Sequence, residues 1–396
     1  MDRQGAAEAR GPSSVTLRSL RSPIADSAAL HFRAVPTPLP DSKPAGGTAV
    51  TPRPRQKLVW IEVARGIAAT LVILHHVSQH LSQELGYVPF RRALEPGSAA
   101  VDFFFVLSGF LILHVTQKDI GNPQTIVRYL RKRVLRIYPI FWAALLVFIA
   151  MNIIRSNSPV ALSPAAIVLE GSLWPVTSGE PRIVGVAWSL SYEIFFYLLF
   201  AALLLHRGFG RAVFALWTLA ALLVSTGALA TPSNSALELI TSEYSLLFPL
   251  GMAVAVGMRR ASHPGSRSVL IIALPALAVT WYLQSAGHLE PHGTLPRLTY
   301  GVFSAMALYG LVLRDQEGKS VSWRPLLVLG ECSYSIYLFH LVGVGIAAKA
   351  ISVLGLYGEV PAFLLAAVMI VAGLIVGVAA GLIIERPLVR WARRVA

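Results

Sequence analysis

A strongly apolar segment near the start of the chain, residues 58–81, contains a cation and several histidines. Arg65 and His76 are eleven residues apart, three turns of an α-helix, so they share a face and lie about 16 Å apart along its axis. His80 falls one turn beyond His76, whereas His75 is turned about 80° away. Because the ordinary pKa of an imidazole lies near neutrality, His76 is the first candidate for a general base. Arg65, on the same helical face, is a second candidate catalytic residue.

These residues also have less specific explanations. A histidine near the end of a membrane helix can simply lie at the interface with water, which is the alternative for His75 and His80. His76 and His80 have the i, i+4 spacing of two metal ligands, but no third ligand is indicated, so no metal is predicted. Arg65 is too deep in its segment to reach the interface easily, which favours a role in the membrane interior.

Two further apolar segments carry an ionisable group. Glu193 falls about two turns into residues 186–205, and His340 lies within 326–348. Charged groups in membrane segments normally face a polar cavity, because an unpaired buried carboxylate is costly. We therefore predict that Glu193 is catalytic, orienting His76 or stabilising its protonated form, and that His340 lines the cavity.

The segment 98–116 adds Asp102 and Ser108, which we also predict to line this cavity. Two alternatives remain open. Gly109 beside Ser108 permits close helix packing, which alone would explain that pair. Asp102 begins its segment and would be favoured there by the helix dipole.

A basic run, residues 128–136, precedes the third apolar segment. Arg133 and Arg136 are three residues apart and share a helical face, with Arg131 close by. Planar guanidinium groups bind phosphates at several points, so these three arginines are candidate ligands for a phosphorylated donor molecule. The alternative is a topological anchor that contacts lipid phosphates.

The elements that must position these residues are membrane helices. Of the 396 residues, 55% are hydrophobic and only 14% charged, against about 25% charged in soluble domains. The predicted fold is an all-α polytopic membrane protein, because a membrane helix needs about 20 apolar residues and about ten segments qualify. They lie near 58–81, 98–116, 134–154, 186–205, 211–229, 243–258, 268–286, 297–313, 326–348 and 361–384. The apolar but short stretch 163–174 predicts an interfacial or re-entrant segment.

The distribution of Lys and Arg predicts that both chain ends face the cytoplasm. With this orientation the cytoplasmic segments hold 27 of these residues and the opposite side holds 6. We divide the chain into a disordered cytoplasmic tail (1–56), a transmembrane domain (57–390) and a short cytoplasmic end (391–396). The charge of +14 is spread between apolar stretches, so it predicts no nucleic-acid partner. A lone cysteine, Cys332, excludes an intramolecular disulfide and is expected to be a packing residue.

Taken in order, these segments resemble acyltransferase family 3, the bacterial membrane O-acyltransferases, over roughly 57–390. The resemblance implies transfer of an acyl group, usually acetyl from acetyl-CoA, to a sugar hydroxyl, with Arg65 and His76 essential. His75 stands where members often have Tyr, so either histidine remains a candidate. The motifs that carry the resemblance are Arg65-Gly-Ile-Ala-Ala with His76, Phe104-Phe-Val-Leu-Ser108-Gly109-Phe110, Arg133-Val-Leu-Arg136-Ile-Tyr-Pro139, Trp188-Ser-Leu-Ser-Tyr-Glu193, Tyr334-Ser-Ile-Tyr-Leu-Phe-His340 and Glu385-Arg386-Pro387.

The function expected from residues and resemblance together is membrane O-acylation of a carbohydrate, such as an exopolysaccharide or a lipid-linked sugar, in the bacterial inner membrane. Acetyl-CoA would enter from the cytoplasm, and His76 would act as general base or through an acyl-histidine. The partners would be the glycan acceptor, acyl-CoA and membrane lipid. A transporter or flippase for a lipid-linked sugar or an anion is the main alternative, because it too needs intramembrane charges. A structural subunit of a polysaccharide synthase is a third.

Overall fold

The protein is a bundle of helices. The structure, a computed structural model, describes residues 31–32, 56–86, 88–154, 162–174, 182–259, 265–291, 293–319 and 321–395. Most of the predicted tail, 1–56, lies outside these residues. Two short strands, β1 (His31–Phe32) and β2 (Gln56–Lys57), pair antiparallel.

The α-helices account for most of the described chain. In the first half they are α1 (Val59–Leu85), α2 (Val88–Leu94), α3 (Ala100–Thr116), α4 (Ile126–Ile154), α5 (Pro164–Ser172), α6 (Trp188–Leu205) and α7 (Arg207–Ser225). In the second half they are α8 (Ser235–Thr241), α9 (Leu247–Gly257), α10 (Ser266–Ser285), α11 (Thr294–Gln316), α12 (Arg324–Glu331), α13 (Ser333–Val353), α14 (Ala362–Ala380) and α15 (Arg386–Val395). Short 3-10 turns cover Glu95–Ala99, Gln117–Asp119, Pro123–Thr125 and Glu243–Leu246, and a π-helical turn covers Gly381–Glu385.

The all-α, multi-pass prediction is confirmed. Among the described residues, eight helical segments, containing α1, α3, α4, α6, α7, α10, α13 and α14, are long and apolar enough to cross a membrane. The pair α8 and α9, bent by 40°, makes a ninth if it forms one span. The remaining predicted span, 297–313, is the helix α11, which is 23 residues long but is not one of these.

The segment 163–174 contains only the nine-residue helix α5. Nine helical residues extend about 13 Å, less than half the hydrocarbon thickness of a bilayer. This segment therefore does not cross the membrane as a helix.

The helices differ strongly in how much of their surface other helices cover. Within the most apolar stretch of each, 67% of the α1 residues and 72% of those around α3 are buried, against 17% for α7 and for α10. α1 and α3 therefore lie at the centre, where polar side chains can meet away from lipid. Helices α3 and α9 cross closely, because a Cβ atom on Gly109 would lie 2.0 Å from the carbonyl oxygen of Phe248. Gly109 thus has the packing role considered above.

Helix ends predicted to share a side of the membrane do lie together. The backbone N–H of Trp60, at the start of α1, donates to the carboxylate of Asp315 near the end of α11 at 3.1 Å. At the same end of the bundle, the N–H of Gly121 donates to the carbonyl of Leu203 at 2.9 Å. These contacts are consistent with the predicted alternation of the spans, while the side that faces the cytoplasm remains a prediction.

Candidate functional site: two adjoining cavities

Two cavities adjoin between the helices, and the walls of both include Val101 and Tyr337. We call the one nearer the start of α1 the inner cavity and the other the outer cavity. The inner cavity is small, about 80 Å³, and the outer cavity is about 580 Å³. Polar residues of the inner cavity are Arg65, Ser108, Arg136, Ser189, Glu193, Ser333, Tyr334 and Tyr337. Those of the outer cavity include His75, His76, Gln79, Arg182, Glu238, Glu243 and Arg297.

Glu193 lines the inner cavity. The Ser108 hydroxyl donates to its carboxylate at 3.1 Å, and the Tyr197 hydroxyl donates to the same oxygen. These contacts place Glu193 and Ser108 in one group on α3 and α6. His76 lines the other cavity, so the predicted pairing of Glu193 with His76 is not present, because side chains of α3 and α6 already hold this carboxylate.

Arg65 is held by its own helix. Its guanidinium lies 3.3 Å from the carboxylate of Glu62, one turn earlier, and both side chains are buried. Such a pair satisfies two charges that would each be costly if left alone in the protein interior. The pair fixes Arg65 in the inner cavity, whereas His76, three turns further along α1, reaches the outer cavity.

The three α4 arginines predicted to bind a phosphorylated donor have different environments. Arg136 lines the inner cavity, where the carboxylates of Glu193 and Glu385 contribute to its electrostatic environment. Arg133 lies over the rings of Tyr129 and Tyr197, 5.4 and 5.7 Å from their centroids. Its buried Nε atom has no hydrogen-bond partner among the described residues.

Arg131 differs from both of these arginines. Its side chain is exposed, and it lines neither cavity. The structure therefore does not bring Arg131 together with Arg133 and Arg136, because it points away from the face of α4 that enters the bundle.

Two histidines of α1 line the outer cavity. The ring of His75 is held through its Nδ1 atom, 2.9 Å from the carbonyl oxygen of Glu95. The ring of His76 lies near the side chain of Gln79, and its centroid is 5.2 Å from that of His340. His340 is fully buried and lines neither cavity, so the predicted cavity-lining role is replaced by a position behind His76.

Asp102 is also behind the cavity wall rather than in it. Its carboxylate forms an ion pair at 3.0 Å with Arg297, which lies in the first turn of α11 and lines the outer cavity. The two side chains are 0% and 4% exposed, so the pair is shielded from water. The member of the pair that lines the outer cavity is therefore Arg297, and the predicted cavity-lining position of Asp102 is not present.

Aromatic rings form one wall of the outer cavity. Trp188, Tyr192 and Tyr244 lie with their ring centroids 5.0 to 6.0 Å apart. The guanidinium of Arg297 lies 4.2 Å from the centroid of Tyr244. Such a wall offers flat apolar faces beside hydrogen-bonding groups, a combination that suits a sugar ring.

A connection before α6 closes part of the outer cavity. Arg182 lies 3.7 Å from the carboxylate of Glu170 on α5, and the N–H of Val184 donates to that carboxylate at 3.2 Å. Burial raises the pKa of Glu170 above its ordinary value, while the nearby Arg182 opposes this shift. The short helix α5 therefore anchors the connection that carries Arg182.

Several residues of the site were missed by the sequence analysis. Glu62 lies three residues before Arg65, and this spacing was a usable signal for a pair. Arg297 was not singled out, because nothing in its sequence neighbourhood points to Asp102. Glu385 accepts hydrogen bonds from Ser335, and the neighbouring Arg386 pairs with Glu331 at 2.8 Å.

The remaining expectations concern Cys332 and metals. Cys332 is buried, 1% exposed, as expected for a packing residue. Within the described ranges, no group of three His, Cys, Asp or Glu side chains is arranged to hold a metal ion.

Comparisons with known proteins agree with this architecture. A family model described as an acyltransferase domain matches residues 58–384. The chain is 29% identical to the exopolysaccharide production protein ExoZ of Rhizobium meliloti (strain 1021) over 315 residues, which cover 75% of this chain and 91% of that protein. It is 27% identical to nodulation protein 10 of Rhizobium leguminosarum bv. viciae over 274 residues, 61% of this chain and 70% of that one.

A third relative, protein 2 in the picA locus of Rhizobium radiobacter, is 25% identical over 162 residues, 36% of this chain and 79% of that protein. No solved structure matches. The family match spans both cavities and all but the ends of the described bundle. The chain therefore belongs to acyltransferase family 3, and it is a multi-pass membrane O-acyltransferase.

Proposed function

We propose that this enzyme transfers an acetyl group from acetyl-CoA to a sugar hydroxyl of an exopolysaccharide or of its lipid-linked precursor. The observation that carries the proposal is the meeting of two unlike cavities at Val101 and Tyr337. One contains arginines suited to an anionic donor, and the other has aromatic rings and histidines suited to a sugar. The relative named as an exopolysaccharide production protein supports this class of acceptor.

The donor enters through the inner cavity. Arg136 lines it, and Arg133 on the same face of α4 has a buried, unpaired Nε atom that a phosphate oxygen would satisfy. The cavity is small, which suits a linear pantetheine arm passing Arg65 toward Tyr337. This route requires the arginines to face the cytoplasm, where acetyl-CoA is made, as the predicted topology of a bacterial inner-membrane protein provides.

His76 acts as the general base from the wall of the outer cavity. It takes the proton of the acceptor hydroxyl, and the resulting oxygen nucleophile attacks the thioester carbonyl carbon. The C–S bond then breaks, and the departing CoA thiolate takes the proton from the His76 imidazolium, giving the ester and CoA-SH.

The decisive experiment compares surface glycans from a deletion strain carrying the wild-type gene, His76→Ala or His75→Ala. Proton NMR and mass spectrometry would measure O-acetyl groups, and immunoblots of membranes would confirm equal insertion. We expect His76→Ala to abolish acetylation. Because the His75 ring is held by the Glu95 carbonyl, His75→Ala is the matched control and should retain at least a tenth of the signal, an order-of-magnitude expectation.

The donor is tested separately with membrane vesicles supplied with labelled acetyl-CoA or longer acyl-CoA thioesters. Incorporation of acetyl label into glycan supports the proposal. If His76→Ala acetylates at the normal rate, or if deletion removes glycan export without changing its acyl content, the proposal fails and the flippase alternative gains.

A further inference from the structure

His340 is a fully buried histidine on α13, directly behind the proposed base. Its ring centroid lies 5.2 Å from that of His76, with an angle of 33° between the ring planes. It lies in neither cavity wall, so it has no direct access to a bound substrate. Any effect of His340 on the reaction must therefore pass through a neighbouring side chain.

The protonation of His340 follows from its contacts. Its Nδ1 atom lies 3.0 Å from the carbonyl oxygen of Ile336 and 2.9 Å from that of Tyr337. Both oxygens are acceptors only, so Nδ1 must carry a hydrogen to bond to either. In the neutral ring, Nε2 then has a free lone pair and no hydrogen.

This lone pair has no partner. The Nε2 atom is buried and makes no hydrogen bond with any described residue. A buried acceptor without a donor is uncommon in folded proteins and calls for an explanation. The ring of His76 is close enough that a small side-chain rotation would bring an N–H to this acceptor, and catalytic hydrogen bonds often tighten only when substrate is bound.

We propose that His340 is a positioning residue that accepts a hydrogen bond from the His76 ring and so fixes the tautomer of the base. With its hydrogen on the nitrogen facing His340, the other nitrogen of His76 has its lone pair toward the outer cavity and the acceptor hydroxyl. The ring of Tyr337, whose centroid lies 6.5 Å from that of His340, borders both cavities beside this pair. This inference rests on the proposed function of His76.

Two substitutions test the roles of the two ring nitrogens of His340 one at a time. In His340→Asn, the amide nitrogen replaces Nδ1, so the bonds to the backbone carbonyls can persist while the acceptor is lost. In His340→Gln, the amide group lies at the position of Nε2 and its oxygen can accept from His76. A purely structural histidine would tolerate Asn better than Gln, whereas a positioning histidine would show the reverse order.

The measurement is steady-state acetyl transfer by the purified full chain in detergent or nanodiscs. We expect kcat to fall about 100-fold or more in His340→Asn, as when a catalytic histidine loses the group that sets its tautomer. The KM values for acetyl-CoA and for acceptor should stay within a factor of about two, because neither molecule touches His340. His340→Gln should recover at least a tenth of wild-type kcat.

The proposal would be overturned if the His340→Asn variant had the same kcat as the wild type, or a higher kcat than the His340→Gln variant. If both variants fail to fold, the wild-type chain labelled with ¹⁵N-histidine gives the answer by NMR. A His76 ring without a single tautomer in the presence of acceptor would refute the inference. An active His76→Ala variant would instead contradict the proposed function, so the two failures are distinguishable.

Discussion

The inner and outer cavities are built in different ways. The polar groups of the inner cavity come from long helices, and neighbours on those helices hold them: Glu62 holds Arg65, and Ser108 and Tyr197 hold Glu193. The outer cavity is about seven times larger, and its wall includes a connection, the short helix α8 and a 3-10 turn. The inner cavity is thus a fixed, small site and the outer one a wide, loop-bordered site.

This difference matches the two substrates of the proposed reaction. A donor such as acetyl-CoA has one structure, so a rigid site between packed helices suits it. Acceptor glycans vary, and segments outside regular long helices tolerate substitution more easily than packed helices do. We infer that donor binding is determined by the inner cavity and acceptor choice by the outer cavity. The following variants test that division.

The largest expected effect is that of Arg136→Ala in the inner cavity. Loss of this guanidinium removes a candidate phosphate ligand and a cation that interacts with the carboxylates of Glu193 and Glu385. We expect kcat/KM for acetyl-CoA to fall about 100-fold or more. Arg136→Lys is the control, because it keeps the charge without the planar geometry. An unchanged KM for acetyl-CoA in both variants would contradict the inference that the inner cavity determines donor binding.

Asp102→Ala should mainly reduce stability. It leaves the 4%-exposed Arg297 without the carboxylate at 3.0 Å, and breaking a buried ion pair costs about 3–5 kcal/mol. Thermal unfolding in detergent would show a lowered midpoint. The double variant Asp102→Ala with Arg297→Met should regain part of the loss, because no buried charge remains. Failure to regain any stability would show that the pair is not what stabilises this wall.

Trp188→Ala should change acceptor recognition alone. The ring belongs to the aromatic wall of the outer cavity, so its removal should raise the KM for acceptor about tenfold. The KM for acetyl-CoA should stay constant. Trp142→Ala, on a tryptophan that is 49% exposed and lines neither cavity, is the matched control. A parallel rise in both KM values would mean that the cavities do not act separately.

The smallest effect is expected for Arg131→Ala. Because this side chain is exposed and outside both cavities, kcat/KM for acetyl-CoA should change less than about twofold. Arg133→Ala, two residues on, should be clearly more damaging, since its guanidinium lies over Tyr197, which holds Glu193. An equal fall in kcat/KM for acetyl-CoA in the two variants would mean that Arg131 does belong to the predicted phosphate site.

Much of the fold was predictable because its signals are local. Runs of about 20 apolar residues define membrane helices wherever they occur. The same holds for residues on one helix: Arg65 and His76 keep the spacing of their three helical turns, and Glu62 could have been found in the same way. Orientation of the spans rests on Lys and Arg counts and remains a prediction.

Contacts between helices were not predictable in the same way. Glu193 was assigned to His76 from estimated depth alone, yet Ser108 and Tyr197 hold it in the other cavity. Depth places a residue along the membrane normal but leaves its neighbour undetermined, because helix rotation and helix order are set by packing.

Hydrophobicity and helix periodicity were enough to predict a multi-pass helical protein with ionisable groups in its membrane segments, and to put Arg65 and His76 on one face of α1. Three features came from the folded bundle alone: these groups divide between two cavities, Asp102 pairs with Arg297, and His340 lies behind His76. Helix periodicity and hydrophobicity are signals within a few turns of one helix. The contacts of α3 with α11 and of α1 with α13 join helices far apart in sequence, so they depend on the packing of the whole bundle.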